Sequence, residues 1–229
     1  MPNLPRDYHL RRAVQCYEQL GEHRAAAELL AAYGTPSASA EAARRLLILD
    51  DLPAAGEAVP AGGQPRAALE CFRRAQLPAR ELACLQALGD DAALGALLLE
   101  QGCMAEAIAP LERALAGIAP EERLRRTIVS LQLARALGEP DGQAHYRAGL
   151  ALLDTLPATP ESASAWLALA AWGAALGRQD RLQEGYAQAL RLLEQAGDQQ
   201  RRRALAAEYR AAALRIGNRS LAQRVKNEG

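Results

Sequence analysis

The side chains able to do chemistry are few and far apart in this sequence. The three histidines, His9, His23 and His145, are too scattered to present a set of metal ligands at helical spacing. His23 is near Cys16, but not at the spacing of a helical metal pair. The four cysteines, Cys16, Cys71, Cys84 and Cys103, form no CxxC pair. Each falls within a helical apolar pattern, so they are expected to be buried, reduced thiols that pack as small hydrophobes. No GxSxG, HExxH or phosphate-loop motif occurs, and the Gly62-Gly63-Gln64-Pro65 run lacks the lysine and the preceding strand that a phosphate loop needs. The acidic pairs Asp50-Asp51, Asp90-Asp91 and Glu121-Glu122 fall at expected helix ends, where capping accounts for them. No catalytic set, cofactor or metal is therefore expected.

Arginine carries the remaining polar chemistry. Arg123-Arg125-Arg126 and Arg201-Arg202-Arg203 are the basic clusters, read first as solvated helix faces and second as contacts for carboxylates, which guanidinium pairs bidentately. Lys plus Arg balances Asp plus Glu at 27 each, and Lys226 is the one lysine. That balance speaks against a general nucleic-acid binder, which is usually basic. The longest apolar run, Ala165 to Leu176, is short of the roughly 20 residues of a membrane span, and no signal peptide opens the chain. A cytoplasmic protein that does not meet a membrane is the expectation.

The elements that hold these side chains are helices. Half the residues are hydrophobic but only 4% are aromatic. Alanine and leucine, both strong helix formers, supply most of the apolar content, and no alternating β-branched run occurs. Thr35-Pro36, Gln64-Pro65, Leu77-Pro78, Ala119-Pro120, Glu139-Pro140 and Thr159-Pro160 read as helix starts. Gly21, Gly63, Gly102, Gly138, Gly177 and Gly217 read as hinges, at intervals of 42, 39, 36, 39 and 40 residues. The spacing predicts about six helical hairpins in one domain over 1–229. Proline and glycine density predicts an irregular loop near 51–65. Pro110 is expected to kink the second helix of the third hairpin. Asp198 is an expected N-cap, and a short closing helix is expected near 219–226. In the fourth hairpin Leu124, Leu131 and Leu137 are the expected core stripe.

The stretch from Ala163 to Ala196 resembles a tetratricopeptide repeat. Trp166, Leu169, the turn residue Gly177, Tyr186 and Ala189 fit that pattern. Ala170 replaces a frequent glycine, Leu182 a small residue and Glu194 the closing proline. Gly173 replaces a tyrosine and should leave a hole for a neighbour to fill. A second window, Leu88 to Pro120, has Leu94-Gly95, Gly102, Ala107, Leu111, Ala114 and Leu115, with Asp91 where the tryptophan would be. The resemblance implies an all-α, right-handed α-solenoid whose first helices line a concave face. Leu99, Glu100, Arg125, Ile128, Gln132, Arg135 and Leu167 would then face a partner, beside Ala92, Ala96, Ser164, Ala171 and Ala174. Replacing Arg125 and Arg135 together should spare the fold. The lysine and asparagine set that clamps a peptide C-terminus in some members is absent, as is the polar column of a pentatricopeptide RNA reader. The expected function is a non-catalytic adaptor or scaffold subunit of a bacterial assembly, bound to another protein, a peptide or an amphipathic helix. The alternative is a regulatory sensor holding a signal peptide or small ligand in the groove.

Overall fold

A computed structural model of the protein describes residues 6–61 and 65–228. It is all-α, 80% helical, with no strand among the described residues. Fourteen helices follow one another there: α1 (Arg6–Gln19), α2 (His23–Tyr33), α3 (Pro36–Ile48), α4 (Leu52–Ala61), α5 (Pro65–Arg74), α6 (Pro78–Leu88), α7 (Asp91–Glu100), α8 (Met104–Gly117), α9 (Arg123–Leu137), α10 (Gln143–Leu153), α11 (Ala163–Ala175), α12 (Gln179–Gln195), α13 (Gln199–Arg215) and α14 (Arg219–Glu228). A 3-10 turn, Pro160–Ser162, leads into α11. By packing the chain divides into two compact units, Met1–Asp90 and Asp91–Gly229.

One turn recurs through both units. A left-handed residue ends the helix, and the next N–H donates five residues back. Glu22 donates to Tyr17, Asp51 to Leu46, Leu77 to Phe72, Asp90 to Leu85, Cys103 to Leu98, Arg178 to Gly173, Asp198 to Leu193 and Asn218 to Ala213, at 2.8–3.1 Å. This is the Schellman closure of a helix C-terminus, and it satisfies carbonyls that the helix leaves without a partner. The expected hinges Gly21, Gly102, Gly138, Gly177 and Gly217 all have positive φ; Gly63 lies outside the described residues. Gly34, Gly89 and Gly197 share that conformation, and so do Asp50 and Gln76.

These extra turns correct the repeat of about 40 residues. A count of glycines passes over the two turns made at Asp50 and Gln76. The interval from Gly63 to Gly102 covers three short helices, α5 to α7, whereas Gly177 to Gly217 covers two long ones, α12 and α13. The expected loop near 51–65 is also corrected, since α4 fills most of it. The Asp51 carboxylate accepts the Ala54 N–H at 3.2 Å, an N-cap, and Pro53 sits in the first turn, where a missing N–H costs little. Gly56 lets α4 close on α5: a Cβ there would lie 2.5 Å from Phe72 Cε1.

Proline starts divide by position. Pro36, Pro65 and Pro78 are the first residues of α3, α5 and α6, as expected. Pro120 and Pro140 precede their helices by a turn, and Pro160 opens the 3-10 turn. Pro110 lies buried inside α8. Asp198 caps α13, accepting the Arg201 N–H at 3.0 Å. The closing helix is α14.

In the first unit each helix from α1 to α6 packs on the next. Its core is built mainly of small residues, Ala26, Ala27, Ala42, Ala43, Ala55 and Ala68, with Leu30, Leu46 and Phe72 filling between them. Cys71 belongs to that core, but Cys16 is exposed and Cys84 and Cys103 are half-buried, which corrects the expectation of four buried thiols. Arg45 pairs with both Glu18 and Glu41, Arg24 with Asp51, Arg73 with Glu81 and Arg80 with Glu57. Solvated pairs of this kind contribute about 0–1 kcal/mol each, so burial holds the unit.

In the second unit α9 is the central element. It packs on α7, α8, α10 and α11 and buries Thr127, Val129, Ser130, Leu131, Leu133, Ala134 and Ala136. A helix covered on most sides shows no single stripe. Of the three expected core leucines only Leu131 is fully buried; Leu124 and Leu137 are half-buried. Thr127 is satisfied locally, its hydroxyl donating to the Arg123 carbonyl at 2.8 Å. Glycines seat branched side chains between arms: Gly95 receives Leu111 and Gly149 receives Leu131. The α11–α12 pair is in close backbone contact. A Cβ at Gly185 would lie 2.4 Å from the Trp166 carbonyl oxygen, and one at Gly173 would lie 2.8 Å from the Leu182 nitrogen. The space expected at Gly173 is filled by a neighbour, as the sequence implies: the start of α12 occupies it.

Burial raises the Cys71 thiol above its ordinary value of 9.0 and the Tyr146 and Tyr186 phenols above 10.0. Each binds its proton more tightly folded than unfolded. Its contribution is whole below the unfolded pKa and lost as pH rises through the folded one. The urea midpoint is therefore expected to fall as pH rises beyond 9 and then 10, and Tyr146→Phe should remove part of the later fall. A midpoint that stays level to about pH 11 would contradict the burial of these groups.

Candidate functional site

The residues expected to face a partner do not form one surface. Arg125 and Ile128 line one groove at the start of α9, of about 540 Å³, with Leu124, Leu156 and Pro157. Arg125 is exposed and lies 3.6 Å from the Glu122 carboxylate. Glu100 and Arg135 line a second groove, of about 520 Å³. Gln132 is half-buried on the same face of α9 and lines neither. Leu99 is corrected outright: it is 2% exposed and belongs to the core. Leu167 is half-buried beside the cluster of Ala163, Ala189, Leu192, Leu193 and Leu205 and lines neither groove. A helix turns about 100° per residue, so at Leu99 a stripe assigned one position off exchanges groove for core.

The second groove draws on five helices. α7 supplies Glu100, α9 Arg135, α11 Ala170, Ala171, Ala174 and Ala175, and α13 Ala212 and Arg215, with Ile216 just past its end; Tyr186 of α12 closes one wall. α9 packs on both α7 and α11. Ala171 and Ala174 line the groove, as expected from the sequence. Tyr186 is held by stacking on Tyr209 of α13, ring centres 4.6 Å apart. Arg215 lies outside the set expected from the sequence. Its signal was positional: it ends α13 as Arg135 nearly ends α9 and Glu100 ends α7.

Arg135 is a strut as well as a rim residue. Its Nη2 donates to the Leu99 carbonyl at 3.1 Å, tying α9 to the end of α7. Its Nε is buried with no hydrogen-bond partner. Burial lowers its pKa, and the Glu100 charge opposes that shift. Arg135 therefore is not the freely replaceable side chain expected from its place in the helical pattern. Arg135→Glu would set a carboxylate against the α7 carbonyls and Glu100, and is expected to cost about 1–3 kcal/mol. Arg125→Glu, on an exposed face, should change stability by no more than about 0.5 kcal/mol. Thermal melts of the two single variants check this order; equal melting temperatures would remove the strut.

Among the described residues no group of three or more His, Cys, Asp or Glu side chains could hold a metal ion, and no helix is long and apolar enough to cross a membrane. The arrangement offers hydrogen-bond donors, methyl groups and an aromatic wall, which suit binding. No protein-family model matches the chain, and no curated protein matches it.

Proposed function

We propose that the protein is a non-catalytic interaction module, an adaptor or scaffold subunit of a bacterial assembly working in the cytoplasm. On this reading the second unit is a tetratricopeptide-like stack, with α7/α8, α9/α10, α11/α12 and α13/α14 as its hairpins. Its partner is another protein or a peptide, and it neither binds nucleic acid nor meets a membrane. The observation that carries the reading is the open groove lined from α7, α9, α11, α12 and α13, with alanines of α11 and the arginines Arg135 and Arg215 in its wall. A groove of that composition can receive a helix from a partner.

A regulatory sensor is the second reading, favoured by the groove's size of about 520 Å³, within the range of small-ligand sites. Two measurements separate them. Affinity capture with the intact protein should recover a defined partner that rebinds in purified form. A metabolite that raises the melting temperature, with no partner recovered, would favour the sensor. Turnover that survives purification and is lost on one substitution would defeat both.

A further inference from the structure

We propose that the groove across α7, α9, α11 and α13 takes an amphipathic helical peptide by one acidic side chain, held between Arg135 and Arg215. The inference rests on the interaction reading and adds the chemistry of the partner.

Charge complementarity is the first argument. Neither Arg135 nor Arg215 makes an ion pair among the described residues, and Arg215 has no hydrogen-bond partner there. Both guanidinium-bearing side chains line the same groove. Glu100 stands on the same rim without pairing to either guanidinium, so the two cations are offset by one anion. That balance fits a single carboxylate in the occupant and disfavours a polyacidic one. The groove of the first unit is different. There Arg45 is already held by Glu18 and Glu41, which line the same groove.

Shape is the second argument. Ala170, Ala171, Ala174 and Ala175 form one face of α11, with nothing larger than a methyl group. Such a floor lets another helix approach at the short end of the usual interaxial range, about 8 Å. Ala174, Ala175 and Arg215 are exposed, so the groove is open along its length and admits a chain. Tyr186 and Ile216 wall the apolar strip, and the arginines stand beside it.

Arg215 is the residue to test, because Arg135 also braces α7. Peptides are selected on the intact protein from a displayed library of amphipathic helices, then measured by fluorescence anisotropy. Selected sequences are expected to carry Asp or Glu beside small apolar residues. Arg215→Gln should weaken a selected peptide about tenfold, the value of a charge-assisted contact, and Arg215→Lys should restore part of it. Changing the peptide's acid to its amide should cost as much, and the two changes together should cost little more than either alone. Affinity should fall with added salt. Selection without acidic residues, binding indifferent to Arg215→Gln, or no selection at all would overturn the inference. So would stabilisation by free glutamate that needs Arg215 while no peptide is selected, since the occupant would then be a small carboxylate. A purified partner bound equally by wild type and Arg215→Gln leaves the interaction reading standing and removes this one. Failure of both peptide and partner removes both.

Discussion

Gly185→Ala is expected to destabilise the second unit by about 2 kcal/mol, although alanine is the better helix former. In an open helix the same change would gain up to about 1 kcal/mol. At Gly185 the new methyl would lie 2.4 Å from the Trp166 carbonyl oxygen, 2.7 Å from Ala170 Cβ and 2.8 Å from the Ala170 nitrogen. Two of those atoms are α11 backbone, which cannot rotate aside, so α11 and α12 must move apart. Gly173 makes the reciprocal approach from α11 to the start of α12, and separation at one point loosens the other. Gly117, at the end of α8, supplies the control, because a Cβ there meets nothing within 4 Å. Gly117→Ala should leave the urea midpoint unchanged or raise it slightly. Opposite signs at the two positions are the expected result. A neutral Gly185→Ala would mean that α11 and α12 are not in contact through their backbones.

That pair of glycines also marks what could be read from the sequence. The all-α class was legible because alanine and leucine dominate and no β-branched alternation competes. Helix starts were legible at Pro36, Pro65 and Pro78, where proline's fixed φ suits the first turn. Helix ends were legible only where the left-handed residue is glycine. At Asp50 and Gln76 the Schellman turn itself holds an ordinary residue in that conformation, so composition gives no sign of it. α4 was hidden for the opposite reason: Pro53 and Gly56 look like breakers, yet one is in the first turn and the other meets Phe72. A local count cannot tell a glycine that breaks a helix from one that lets another helix approach.

The candidate groove was partly legible for a related reason. Glu100, Arg135, Ala171 and Ala174, read as partner-facing, line one groove. Leu99 was misplaced because apolar residues occur on both sides of the boundary between groove and core, so its type could not decide the face. α9 concealed its own orientation, since burial on most sides removes the polar face that would have fixed it. Arg215 was missed because the residues expected to face a partner all lie between Ala92 and Ala174.

Trp172→Ala is expected to have the largest effect of these substitutions, about 3–5 kcal/mol. Trp172 is 2% exposed, in a cluster with Leu131, Ala134, Leu153, Ala165 and Leu169. Its ring stacks on Tyr146 of α10, centres 3.9 Å apart and planes 12° off parallel, a contact worth about 0.5–1.5 kcal/mol beyond the area it buries. Loss of the ring would thus unseat α10 and α11 together, against a total stability of about 5–15 kcal/mol for a domain. The repeat pattern places its tryptophan elsewhere, at Trp166, which is only half-buried between two clusters. Trp166→Ala should therefore cost less than Trp172→Ala, by about 1 kcal/mol or more. The protein has two tryptophans, so each variant leaves one fluorophore and reports on the other site. In Trp166→Ala the remaining Trp172 should emit at shorter wavelength than Trp166 does in Trp172→Ala, as its indole is the drier. Urea titrations followed at these emissions measure both the order of stability and the order of burial. If Trp166 proves the costlier loss and the bluer emitter, α11 is rotated about its axis from the orientation that buries Trp172.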